Sequence, residues 1–203
     1  MKYENIPSND IISKTAKALE ANNIKVFIAE NSKDAKKKIL ELIPEGAEVM
    51  NMTSMTLDAI NLSKEIEESG KFNSVRKKLM SMDRKTQNKE MQKLGTAPDF
   101  VIGSVHAVTQ DGKVMIASAS GSQLPAYAYG SEKVIWVVGA QKIVKNFDEG
   151  LKRIYEHSLP LESERAKIAY GVPGSAVNKL LIVNNEIKPG RITMIIVKEK
   201  LGF

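Results

Sequence analysis

The chain has 203 residues, 42% apolar and 27% charged, a balance that lets it bury a core of its own. It contains no cysteine, which excludes disulfides, iron–sulfur ligation, a thiolate nucleophile and a cysteine-based zinc site within the chain. Its formal charge of +6 gathers at Lys33–Lys38, Arg76–Lys78 and Arg84–Lys93, where acidic or polar neighbours in helical patterns mark solvated helix faces, so nucleic acid is disfavoured as a partner.

No linker-like composition divides the sequence, so one domain over 1–203 is expected, with an N-terminal helical segment at about 1–22. Met1–Asn5 lacks a signal-peptide core, and no run approaches the ~20 apolar residues of a membrane span; the expected location is cytoplasmic. Asp10–Ala21 puts Ile11, Ile12, Thr15, Ala16 and Leu19 on one helical face, with Ser8 or Asn9 as cap. Ile24–Ala29 reads as a strand. Ser32 then caps a helix carrying Ala35, Ile39 and Leu42, ended by Pro44 and Gly46. Glu48–Met52 reads as a second strand, and Ser54 or Thr56 caps a helix to Ser69, with Gly70 beyond its end.

Residues 71–94 are loosely periodic and heavily charged, which predicts a bent or broken helix. Asp99–Ser104 is a buried strand. Asp111-Gly112 predicts a hairpin between Val105–Val108 and Val114–Ala117, adding an antiparallel element to the sheet. A helix follows at Leu124–Tyr129, then the most apolar strand, Lys133–Gly139. Asn146 caps a helix through Tyr155 and His157. Leu180–Val183 and Arg191–Val197 are the last strands. Alternating strands and helices predict an α/β fold with a mixed, mostly parallel sheet flanked by helices.

Two strand-to-helix junctions carry small hydroxyl residues, Asn51–Thr56 and Ser118–Gln123. At a helix N-terminus such residues and free backbone N–H groups suit an anion, although both also serve as plain caps. Ser54, Thr56, Ser120, Gly121, Ser122 and Gln123 are therefore candidate ligand-binding residues. Ser104, leaving the buried strand, joins them. His106 is a candidate acid–base group and Lys142, at the end of the most apolar strand, a candidate partner for an anion. Neither glycine pattern of a phosphate-binding or dinucleotide-binding loop is present, so no cofactor is assigned; the two histidines, without clustered carboxylates, give no metal signature.

Several segments resemble the lactate-utilisation (LUD-domain) family in that family's order. They are Ser54-Met55-Thr56-Leu57, the stretch Asp99–Gly112, the helix entry Gly121-Ser122-Gln123, and Tyr129-Gly130 with Val134–Val144. The resemblance implies a fold like that of the ribose-phosphate isomerase, glucosamine-phosphate deaminase and CoA-transferase superfamily. It also implies a small anionic metabolite as ligand in a pathway oxidising L-lactate to pyruvate, beside iron–sulfur partner proteins. The alternative it implies is a non-catalytic subunit or regulator of an iron–sulfur oxidoreductase complex; whether the chain is an enzyme, and whether it forms a homo-oligomer, the patterns leave open. The chain departs from the family at Met52-Thr53, where Gly-Gly is common, at His106, where Asn is common, and at Ala119–Ser122. The glutamate nucleophile of the CoA-transferases is not recognisable, which disfavours acyl-CoA transfer.

Overall fold

In the computed structural model, which describes residues 3–203, the chain opens with helix α1 (Asn9–Ala21), capped by Ser8. Strand β1 (Lys25–Ala29) follows, then α2 (Ser32–Leu42), whose cap is Asn31 rather than Ser32, and β2 (Glu48–Asn51). The helix expected to run to Ser69 is divided. Ser54 caps α3 (Met55–Ala59), the chain breaks at Asn61 in a left-handed conformation, and α4 (Leu62–Glu68) resumes. The charged stretch after Gly70 forms β3 (Asn73–Ser74), α5 (Val75–Met80) and α6 (Asn88–Thr96).

Strand β4 (Phe100–Gly103) precedes the hairpin strands β5 (Ala107–Thr109) and β6 (Val114–Ser118), which pair antiparallel. The helix expected at Leu124–Tyr129 is present, opening at Leu124-Pro125 and continuing as a π-helical turn, Ala126–Gly130. Strand β7 (Lys133–Gly139) leads through a 3₁₀ turn, Ala140–Lys142, into β8 (Ile143–Val144). Helix α7 (Phe147–Arg153), the π-helical turn Ile154–Ser158 and α8 (Leu159–Tyr170) follow without a break, and β9 (Lys179–Val183) and β10 (Ile192–Val197) come last.

Six strands form a fully parallel sheet in the order β1-β10-β7-β4-β2-β3. The hairpin does not extend that sheet. It belongs to a second sheet, β8-β5-β6-β9, and the last two strands are accordingly divided between the two sheets. The reason lies in side-chain alternation. In β7, Val134, Trp136 and Val138 face one core, and Ile135 and Val137 face another. The parallel sheet therefore has two apolar faces, and both must be covered. Helices α2, α3 and α4 cover one through Ile39, Leu57 and Leu62; α1 and the second sheet cover the other through Leu19, Val108, Val114 and Ile116. The second sheet has an outer apolar face of its own, Met115 and Ala117, which α7 and the turn after it cover with Leu151 and Ile154. The layers thus run helix, parallel sheet, second sheet, helix. Among the described residues no helix is long and apolar enough to cross a membrane.

Candidate functional site

Strands β2, β4 and β7 are neighbours and parallel, so their carboxyl ends open onto one edge of the sheet, where ligands of such sheets usually sit. Each delivers one polar residue there. Thr56 comes from the first turn of α3 after β2, Ser104 from the residue after β4, and Lys142 from the 3₁₀ turn after β7. Lys142 is only 2% exposed, and its Nζ donates to Thr56 Oγ1 at 3.0 Å and to Ser104 Oγ at 3.1 Å. Burial and the nearby charge of Arg153 hold its proton affinity well below the usual lysine range.

The C-terminal segment is fastened to the same place. Thr56 Oγ1 donates to the Leu201 carbonyl at 3.2 Å, and Gln141 grips Leu201 through both ends of its amide, at 3.0 and 3.3 Å. Gly202 has φ +59°, and a Cβ there would lie 2.5 Å from Thr56 Oγ1. Only glycine fits that turn and that approach together.

His106 is half-buried and is tied to β6 by two bonds: its N–H donates to the Met115 carbonyl at 3.0 Å, and its Nδ1 accepts the Ala117 N–H at 3.1 Å. An accepting Nδ1 puts the neutral ring's proton on Nε2. Burial, then the charges of Lys142 and Arg153, push the imidazole down to about 3. It is neutral at physiological pH.

Arg153, absent from the sequence-based candidates, completes the cluster. It is 0% exposed and ends α7. Its Nη1 donates to the His106 carbonyl and, at 3.0 Å, to Ser158 Oγ, while its buried Nε and Nη2 have no hydrogen-bond partner among the described residues. Burial brings its guanidinium down to about 10, still cationic at neutral pH. The signal that could have found it is faint: Arg153 lies one helical turn after Gly150, which must be small because a Cβ there would run into Met115.

The remaining candidates stand apart. Ser54 Oγ accepts the Leu57 N–H at 3.4 Å and so acts as the cap of α3. In the 120–123 loop the donors expected to be free are satisfied internally: Gly121 N–H by Ser118 Oγ at 2.8 Å, and Ser122 N–H by Ser120 Oγ at 3.2 Å. Gln123 bonds Ser118 Oγ at 2.9 Å and, more weakly, the Ala117 carbonyl at 3.4 Å, so the loop meets the His106 ring only through Ala117. Lys179 Nζ closes the loop from outside on the Ser120 carbonyl at 2.9 Å. Just beyond lies an open cleft of about 650 Å³ bordered by Ala119, Glu162, Tyr170, Val172 and Asn178. The structure thus gathers Thr56, Ser104, His106 and Lys142 with Arg153, and leaves Ser120–Gln123 at a separate corner.

These features define an α/β protein whose parallel sheet is covered on both faces and carries a buried cluster of basic side chains at its carboxyl edge. The chain belongs to the LUD domain family, whose model matches residues 12–197. In structure it is similar to a DUF162 family protein from Deinococcus radiodurans, with a TM-score of 0.57 and 12% identity over 94% of this chain and 99% of that one. Partial likenesses are to ribose 5-phosphate isomerase from Plasmodium falciparum (TM-score 0.36, 14% identity, 57% of this chain and 52% of that one) and to eIF2B beta from Chaetomium thermophilum (TM-score 0.40, 13% identity, 59% and 45%). No curated protein matches the chain in sequence.

Proposed function

We propose that this LUD-domain protein binds a small anionic metabolite at the carboxyl edge of its parallel sheet, with Lys142 and His106 as the reactive polar groups and Thr56 and Ser104 positioning Lys142. One observation carries the reading: Lys142 is buried between two hydroxyls, with no carboxylate in ion-pair contact among the described residues. A buried base with no counter-ion is costly to charge, and an incoming anion lowers that cost. Ser54 acts indirectly by capping α3, which carries Thr56, while the Ser120–Gln123 loop, linked to His106 through Ala117, stays outside this cluster. The family resemblance supports a cytoplasmic setting in the oxidation of L-lactate to pyruvate, beside iron–sulfur partner proteins.

Thermal unfolding with lactate, pyruvate and sugar phosphates tests this. A concentration-dependent rise in Tm with at least one of them, absent in Lys142→Met, is the expected result. No rise with any of them would sink the reading. A second reading, a non-catalytic subunit of an iron–sulfur complex, is favoured by Ile168 (88% exposed), Tyr170 and Val172, apolar and outward-facing at and beyond the end of α8. Loss of a defined complex with such a partner on Ile168→Glu would support it.

A further inference from the structure

Resting on the anion-site reading, we infer that Lys142 is a carbonyl-reactive amine, and that the site takes a small anionic carbonyl compound whose oxyanion group lies on Arg153 and whose carbonyl carbon meets Lys142 Nζ. The first argument is directional. Of the four directions at Nζ, the side-chain stem takes one, and Thr56 Oγ1 and Ser104 Oγ take two at 3.0 and 3.1 Å. The Thr56 hydroxyl donates to Leu201 and the Ser104 hydroxyl leans towards the Val105 carbonyl at 3.5 Å, so both oxygens accept from Nζ. One direction is left without a hydrogen-bond partner among the described residues. On a free amine that direction holds the lone pair, the nucleophilic site of a lysine that forms imines.

The second argument is electrostatic. No carboxylate pairs with Lys142 among the described residues, and Arg153 adds like charge, so its surroundings favour the uncharged amine. The third is the geometry of Arg153. With Nη1 engaged by His106 and Ser158, the unpartnered Nε and Nη2 form one flat edge of the guanidinium. Two parallel N–H donors on one edge match two oxygens of a carboxylate or a phosphate. A buried edge of this kind, without a hydrogen-bond acceptor among the described residues, is an unfilled half of a bidentate pair.

The chemistry balances without an oxidant or reductant. The Nζ lone pair forms the C–N bond as the C=O π pair moves to oxygen. A proton passes from nitrogen to that oxygen, by way of the Ser104 or Thr56 hydroxyl, to give the carbinolamine. Loss of water then gives the imine.

Borohydride trapping on the full chain tests this, with pyruvate as the carboxylate probe and dihydroxyacetone phosphate as the phosphate probe. Intact mass and peptide mapping should show one reductive adduct, on Lys142, with one of the two probes; the probe that labels identifies the oxyanion. Lys142→Arg should abolish the adduct while keeping the far-ultraviolet circular dichroism. Arg153→Met should lower trapping by about tenfold or more, the scale of a lost charge-assisted pair. No adduct with either probe, or adducts only on surface lysines and unchanged in Lys142→Arg, would overturn the inference. If Tm still rises with these anions while trapping fails, the anion site stands and the amine chemistry falls. If neither occurs, both fall.

Discussion

Lys142 and Arg153 bury two basic side chains in one neighbourhood, and neither forms an ion pair with a carboxylate among the described residues. Buried bases of this kind are ordinarily paired. Elsewhere the chain pairs its charges readily; the nearly buried Arg191, for example, meets Glu186 at 2.7 Å. The contrast between Arg191, neutralised within the fold, and Arg153, left open, marks the latter as the place where charge balance must come from outside.

Lys142→Met should therefore leave the protein about as stable or more stable, since a buried polar amine with no charge partner is exchanged for an apolar side chain of similar length. An unchanged or raised urea midpoint together with loss of anion-induced stabilisation is the expected pair of results. A large loss of stability would instead mean that the bonds to Thr56 and Ser104 hold the fold together.

Inorganic phosphate should raise the stability of the wild-type chain by mass action, approaching about 2.7 kcal/mol when its concentration is a hundred times its Kd. Arg153→Met should remove most of that gain. Its intrinsic cost should be about 1–2 kcal/mol, because the His106 carbonyl and Ser158 each lose a donor. Denaturation curves with and without phosphate separate the two effects.

His106 supplies a pH dependence with a definite sign. Its folded-state pKa is pushed from 6.5 down to about 3, so as pH falls the unfolded chain takes up this proton first. Stability from this group is whole above 6.5 and is lost progressively between 6.5 and about 3, on the order of 1.4 kcal/mol per pH unit. His106→Asn keeps an acceptor for the Ala117 N–H and removes the titration. The variant should be somewhat less stable than wild type at pH 7, with the gap closing or reversing by pH 4.5. Equal pH slopes for the two proteins would contradict this.

Gly202→Ala combines a positive φ of 59° with a Cβ 2.5 Å from Thr56 Oγ1. It should cost about 1–3 kcal/mol and disturb Lys142 through Thr56, although residue 202 lies 60 positions from Lys142 in the chain. Reduced anion stabilisation at unchanged far-ultraviolet circular dichroism is the expected signature.

Much of the fold was legible because the apolar runs are unambiguous. Asp99–Ser104 and Lys133–Gly139 read as buried strands from their apolar runs, and Asp111-Gly112 marks its hairpin with a turn that calls for positive φ, found at Gly112. The break at Asn61 was hidden, because an asparagine in the left-handed region leaves no mark in the helical periodicity around it. The hairpin was legible as a hairpin but not as part of a second sheet. Its strands are apolar on both sides, and only the stacking of Val114 and Ile116 on the parallel sheet, with Met115 and Ala117 turned to the helices, explains why.

By itself the sequence determined the α/β class with a mostly parallel sheet, the absence of thiol chemistry, the family, and the membership of Thr56, Ser104, His106 and Lys142 in a candidate site. Each is written in local patterning: runs, turns and short signatures. Only the tertiary structure decided which of those residues meet. It joined Lys142 to Thr56 and Ser104 because β2, β4 and β7 end side by side, and it closed the Ser120–Gln123 loop on its own donors. It also brought in Arg153 from a helix with no distinguishing motif. A buried charge is defined by what surrounds it in space, and one-dimensional spacing carries no record of a partner that is missing.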